Sequence, residues 1–193
     1  LLAASALAGV ASLCVFLFVR ESRQPNKVYV KPPSPWVMAG YAVRHPVIGR
    51  LMMLTFLVGL AFTGIESVFG LWSAARFQWP PYILGLAFGV TGFVSAISQF
   101  FVTGPLSKRY GEARMLAIGM FGTAACIFVQ PFTTGVWYTT VLAMAFLALF
   151  QSVAFPNSAA LMSRSIDEDH QGQIMGLNNA TGAFARFVGP LIA

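Results

Sequence analysis

Apolar residues in this chain come in long stretches, without the polar face that a soluble helix or strand would show. Six stretches stand out, at 1–19, 47–74, 82–104, 115–132, 138–163 and 172–193. A helix that crosses a bilayer needs about 20 mostly apolar residues, because each adds ~1.5 Å to a path of ~30 Å. The six stretches therefore predict six membrane helices, the fourth the shortest and the sixth the most polar. The gaps at 20–46, 75–81, 105–114, 133–137 and 164–171 leave no room for a soluble domain. The longest gap holds Pro25, Pro32, Pro33 and Pro35, then Trp36 to Arg44, then His45-Pro46. This predicts an irregular linker and a short interfacial helix, a depth that suits Trp36, Tyr41 and Arg44. His45 is expected to be a solvated interfacial side chain, not a ligand.

Composition agrees. Hydrophobic residues make up 57% of the chain and charged residues 9%, against about 25% charged in an average soluble domain. A net charge of +6 could suggest nucleic acid as a partner. The placement of the charges excludes it, because they sit in short gaps between apolar runs and form no basic face with exposed aromatics. Arg20, Arg23, Lys27, Lys31 and Arg44 fall in the first gap, with Arg50 just beyond it. Lys108, Arg109 and Arg114 fall in the third gap and Arg164 in the fifth; the alternate gaps hold Arg76 alone. Every second loop is thus basic, as an alternating set of spans requires when positive loops face the cytoplasm. The expectation is a multi-pass protein of the inner or plasma membrane, with the 20–46 loop cytoplasmic. Residues 1–19 lack the charged start and cleavage site of a signal peptide. They read as a helix already under way, and the chain stops inside an apolar run, so both ends are expected to be cuts in a longer protein.

Polar positions inside the apolar runs are few. Glu66 and Arg186 are the ionisable ones. A charge at the bilayer centre costs ~2.5–3.5 kcal/mol even on the lenient insertion scale, so the fold must shield both from lipid. Glu66 lies on a stripe of Thr55, Gly59, Thr63, Gly70 and Ser73 at helical spacing, opposite Phe56, Leu57, Leu60, Val68 and Leu71. The stripe is expected to face protein or water, and the other face lipid. Arg186 lies on a similar stripe with Asn179, Gly182 and Gly189. Counted along their helices, Glu66 is ~24 Å and Arg186 ~18 Å from the cytoplasmic edge. The two are expected to pair or to share one aqueous cavity, with Glu66 either a proton-binding carboxylate or a structural partner. Thr63, Gln99, Gln151, Asn157, Asn178 and Asn179 could line a substrate path or simply bond between helices. Pro156 loosens the fifth stretch. Gly85, Gly89, Gly92 and Ser95 form a small-residue stripe that predicts close helix packing.

No enzyme chemistry is legible. The sequence has no paired His and carboxylate, no Gly-x-Ser-x-Gly, no phosphate-binding loop and no metal-ligand spacing. Cys14 and Cys126 lie inside apolar runs and read as small core residues. Neither cofactor nor metal is expected.

Residues Gly104 to Leu116, GPLSKRYGEARML, resemble the loop motif of the major facilitator superfamily, which runs Gly, x, Leu, x, Asp, Arg, x, Gly with basic residues after. Gly104, Leu106, Arg109 and Gly111 match, Arg114 is the later basic residue, and Lys108 stands at the Asp position. The motif implies a tight gating turn on the cytoplasmic side. The departure at Lys108 puts in question any latch that needs that carboxylate. Leu17 to Ser22 looks like the end of the family's sixth helix. The stretch from Gly64 to Pro81 and the Gly-rich run after it look like helices seven and eight of the drug:proton antiporter branch, the tetracycline-resistance-like group. The stretch from Phe155 to Ala193 looks like helices ten and eleven. The resemblance implies an all-α, polytopic transmembrane bundle: helices six to eleven of twelve. Residues 1–19 would end helix six, 20–46 form the central linker, and 47–193 hold five helices of the C-terminal bundle, the last one absent. It implies alternating access around a midplane site, with lipid, protons, a small molecule and a missing N-terminal half as partners. Proton-coupled efflux of amphipathic molecules is the reading that follows. The aromatic share of 14% and the 8 Met suit an adaptable apolar pocket. Uptake of a metabolite by a symporter and a non-transporting scaffold or receptor are the alternatives.

Overall fold

The structure, a computed structural model, describes residues 2–18, 34–133, 137–167 and 170–193. Most of the linker expected at 20–46 and the acids Glu168 and Asp169 lie outside the described residues. The chain divides into two compact units, Leu1–Pro32 and Pro33–Ala193. The first contains helix α1, Leu2–Phe18, whose described side chains are exposed.

The second unit is an all-helical bundle. Its elements are α2 (Pro35–Arg44), α3 (Pro46–Phe77), α4 (Pro81–Ile97), a π-helical turn (Ser98–Thr103), α5 (Gly104–Tyr110), α6 (Glu112–Val129), a 3-10 turn (Gln130–Phe132), α7 (Trp137–Arg164) and α8 (Gln171–Ile192). Four spans among the described residues are long and apolar enough to cross a membrane: Pro46–Phe77, Pro81–Tyr110, Glu112–Phe132 and Trp137–Arg164. Helix α8 has the length but carries more polar residues, as its sequence suggests.

Prolines set several of the helix starts. Pro35, Pro46 and Pro81 stand in first turns, where the missing N–H is no loss and the fixed φ suits a helix. Ser34 caps α2 by accepting from Val37 N–H. His45 closes α2 and opens α3, its Nδ1 accepting from Ile48 N–H at 3.4 Å. It is a half-buried helix cap and not simply a solvated side chain. Helix α2 forms where the interfacial helix was expected, but it also packs inward. Its Met38 and Ala42 bury against Ile48 of α3 and Ile174 of α8.

The loop motif folds differently from the expected tight turn. Residues Gly104–Tyr110 stay helical and continue the π-helical turn. The reversal falls on Gly111 alone, whose φ of 84° lies in the left-handed region that glycine enters without steric cost.

Two helix pairs carry close backbone contacts. In α6 and α7, a Cβ on Gly119 would come within 2.9 Å of Ala154 N and Phe150 O, and one on Gly122 would overlap the Phe150 ring. In α3 and α8, Gly59 faces Ala185, and a Cβ on Gly189 would lie 3.0 Å from the Leu60 carbonyl oxygen. Such approach substitutes for hydrophobic collapse, which does not drive helices together in lipid. The expected close packing at Gly85, Gly89 and Gly92 is absent, since a Cβ at any of them meets nothing within 4 Å. Between the pairs, Leu51, Leu116, Met120, Ala154 and Met162 form a buried cluster joining α3, α6 and α7. A second cluster of Phe69, Trp79, Ala87 and Met144 joins α3, α4 and α7 nearer the other end.

This arrangement separates two kinds of glycine. Gly119→Ala in the purified chain in detergent should cost about 1–3 kcal/mol through overpacking against backbone that cannot rotate away. Gly85→Ala should be neutral or stabilising by up to about 1 kcal/mol, the helix-propensity gain. Thermal unfolding of the two variants checks this, and equal destabilisation would contradict the packing described.

Candidate functional site

Helix register fixes the relative depth of the polar residues. Gly59 meets Ala185 and Gly64 meets Gly189, while Ile48 and Ile174 share a buried cluster. The pairing advances in step on both helices, so α3 and α8 run parallel. Arg186 therefore lies level with Leu60, about 9 Å along the axis from Glu66 at ~1.5 Å per residue, somewhat more than the separation expected from counting residues. At 100° per residue, Glu66 sits roughly 80° to one side of the α3 face that meets α8. Arg186 sits roughly 80° to the opposite hand on α8. On parallel helices that face each other, those opposite hands bring both residues to the same side of the pair. Asn179, two turns before Arg186, shares that side.

Helix α7 borders the same side. Thr55 Oγ1 and Ser158 Oγ are 3.4 Å apart and buried. Leu51 clusters with Met162 and Phe69 with Met144, so α7 runs antiparallel to α3 in a constant register. That register sets Gln151 opposite Phe62, between the levels of Glu66 and Arg186. Gln151 lies two turns from Ser158, on the α7 face turned to α3. Its Nε2 is buried and has no hydrogen-bond partner. An unmet buried donor carries a desolvation cost of about 1–3 kcal/mol. The structure thus gathers Glu66, Arg186, Gln151 and Asn179 on one side of α3 and α8.

Glu66 and Arg186 are both exposed in the bundle and do not pair. Among the described residues the one ion pair is Arg164–Glu112, at 2.8 Å. The expected direct pair is absent. The apolar face opposite Glu66 is also divided. Leu57, Val68 and Leu71 are exposed, but Phe56 stacks on Phe184 of α8 with centroids 5.9 Å apart, and Leu60 faces Gly189.

The other candidates scatter. Thr63 turns its hydroxyl to the Gly59 carbonyl of its own helix, 2.7 Å away. Asn157 is buried and donates to the Val153 carbonyl at 2.7 Å. Asn178 points toward α3 with its Oδ1 buried and without a partner. Gln99 is exposed on the π-helical turn. In the loop motif, Lys108, Arg109, Gly111 and Arg114 are exposed, Leu106 is half-buried, and the Arg109 guanidinium lies 5.4 Å from the Tyr110 ring centroid. The carboxylate missing at Lys108 has a neighbour in Glu112, at the start of α6, which pairs with Arg164 at the end of α7. Each charge opposes its own helix dipole. Sequence reasoning passed over Glu112, although an acid in a first turn and a base in a last turn were both visible. It also passed over a cleft of ≈ 700 Å³ at the opposite end, lined by Arg76, Trp79, Tyr82, Leu86, Val90 and Trp137 among others.

The family model for the Major Facilitator Superfamily matches residues 1–190. The chain belongs to that superfamily. It is an integral, multi-pass membrane protein of this transporter family, as the loop resemblance implied. It is 29% identical to the tetracycline resistance protein, class C, of Escherichia coli, over 99% of this chain and 48% of that protein. Similarity to the class G tetracycline resistance protein of Vibrio anguillarum is 29% over 98% and 48%. With multidrug resistance protein 2 of Bacillus subtilis (strain 168) it is 24% over 77% and 36%. The chain spans about half the length of the tetracycline resistance relatives it matches. No solved structure matches it.

Thiol accessibility distinguishes the two sides of α3 in this superfamily member. In a background without Cys14 and Cys126, single cysteines at Glu66 and Arg186 should react with a charged maleimide in membrane vesicles. Cysteines at Leu57 and Leu71 should not, because a thiol in hydrocarbon does not ionise. Equal reactivity at all four would show that no polar side exists.

Proposed function

We propose that this chain forms one half of a proton-driven exporter of small amphipathic molecules and that Glu66 is its proton-binding carboxylate. Residues 47–193 would correspond to helices seven to eleven of the twelve-helix fold, residues 1–19 to the end of helix six, and 20–46 to the central linker on the cytoplasmic side of the cell membrane. The observation that carries the proposal is the grouping of Glu66, Arg186, Gln151 and Asn179 on one side of the α3–α8 pair. An acid held in a membrane bundle is costly unless it faces water or a partner. Arg186 lies about 9 Å away along the axis and forms no ion pair with Glu66, so no fixed bond has to break when the carboxylate exchanges a proton. Loss of that charge alters the balance between two arrangements of the halves, which is what alternating access requires.

Drug efflux as the task is supported by the names of the relatives, which are tetracycline and multidrug resistance proteins. Those relatives are about twice as long, and the remaining length would supply the other wall of the path. Gln99, Gln151, Asn178 and Asn179 are proposed to meet substrate, with Thr63 and Asn157 shaping the wall. The Gly104–Arg114 motif, reinforced by Glu112–Arg164, is proposed to act in cytoplasmic gating. No step here is a covalent reaction, so the protein is read as a transporter and not an enzyme.

Everted membrane vesicles carrying the intact protein test both parts. An imposed proton gradient should drive accumulation of a cationic dye, and Glu66→Gln should abolish that accumulation while leaving the protein folded and able to bind dye. Gradient-driven depletion of the dye would favour a symporter. Undiminished accumulation by the Gln variant would remove Glu66 from the mechanism.

A further inference from the structure

Helix α7 contains Pro156, which has no N–H to give to the carbonyl four residues earlier. That carbonyl belongs to Ser152, a residue only 4% exposed. A soluble helix could offer such an oxygen to water, but a bilayer span has no water to offer it to. The hydroxyl of Thr103 donates to the Ser152 oxygen at 3.2 Å. The same Oγ1 lies 3.1 Å from the Ser98 carbonyl oxygen, at the other end of the π-helical turn Ser98–Thr103. A threonine hydroxyl has one proton, so the two carbonyls share it. Thr103 and Ser98 are buried as well, at 7% and 2% exposure. One side chain therefore ties together two irregular points of the bundle, the wide turn after α4 and the proline site of α7.

Both points carry residues of the proposed path. Gln151 immediately precedes Ser152 and faces α3 between the levels of Glu66 and Arg186. Gln99 lies on the wide turn itself. We propose that Thr103 is a positioning residue. Its hydroxyl supplies the bond that Pro156 removes, and so sets the local bend that aims Gln151 and the turn that aims Gln99 at the transported molecule. The hydrogen bond stands on the geometry alone; its consequence for transport rests on the exporter reading above. A π-helical turn costs backbone regularity and is often found at functional sites. Here its last residue is the one whose hydroxyl reaches the unmet carbonyl of the neighbouring helix.

The test is a double-mutant cycle in the intact protein with Thr103→Val, Pro156→Ala and both together, plus Thr103→Ser. Valine keeps the shape and removes the donor. Alanine at 156 returns a backbone N–H to Ser152 and makes the hydroxyl redundant. Thr103→Val should raise the dye KM by about fivefold or more, the factor equivalent to about one hydrogen bond, with a smaller change in maximal rate. Thr103→Ser should restore the wild-type KM. In the Pro156→Ala background the effect of Thr103→Val should shrink to less than half. Thermal unfolding in detergent, read on the same variants, should show the same coupling and needs no transport activity. Additive unfolding shifts would overturn the shared bond. Coupled unfolding with an unmoved KM would overturn the positioning role. Coupled unfolding in a protein that moves no dye would leave the bond standing and reject the exporter reading on which the role depends.

Discussion

Hydrocarbon has no hydrogen bonds to offer, and each polar group placed in it must find its partner within the protein. This constraint explains why the described chain is helical nearly throughout, since a helix satisfies its own backbone. It also explains what happens where the helix is interrupted. At Pro156 the missing amide leaves Ser152 without its regular donor, and a hydroxyl from the neighbouring span takes its place. At the membrane ends, where water returns, interruptions need less repair. Gly111 turns the chain with a positive φ and an extended ψ of 149°, and Gln78 ends α3 in the left-handed helical region, its N–H bonded to the Ala74 carbonyl.

The same constraint governs how helices find each other. Lipid tails are as apolar as leucine, so burying leucine against leucine gains little, and contact area must come from close approach. The bundle achieves this twice, at Gly119 and Gly122 against α7 and at Gly59, Gly64 and Gly189 between α3 and α8. Contacts between these pairs are of another kind. Thr55 and Ser158 join α3 to α7 through hydroxyls, beside larger side chains such as Leu51 and Met162. A hydroxyl can exchange one acceptor for another at little cost, whereas a glycine contact fits one register.

Much of this was legible in the sequence, because membrane spans are long and loud signals. The six apolar stretches fall on helices with ends displaced by only a few residues, and the short helix expected before His45 forms at Pro35–Arg44. Among the described residues, Arg44, Arg50, Lys108, Arg109, Arg114 and Arg164 lie at one end of the helices and Arg76 at the other. The loop motif pointed to the right superfamily. Partners were not legible, because a partner is a property of two distant segments. Gly85 and Gly89, four apart, carry the usual small-residue spacing, yet it is Gly119 and Gly122, three apart, that meet a neighbour. Thr103 looked like any other residue at the edge of a span, and its importance depends on a proline 53 positions later. The loop at 105–114 was read as a turn from its glycines, but the helix runs on to Tyr110 and reverses only where φ must be positive.

Helix α3 shows how one element can meet three environments at once. Its circumference is divided by residue class at a period of 3.6. Gly59 and Gly64 admit α8; Thr55 and Glu66 lie on the side bordered by α7; Met53, Leu57 and Leu71 remain exposed and apolar. The divisions are linked. Close approach of α8 brings Arg186 to the same side as Glu66, and the antiparallel register of α7 brings Gln151 to a level between them. A bulkier residue at Gly59 or Gly189 would therefore act at a distance, by shifting Arg186 relative to the side of α3 that carries Glu66. The charges that cost most in a membrane are held in place by the residues with the least side chain.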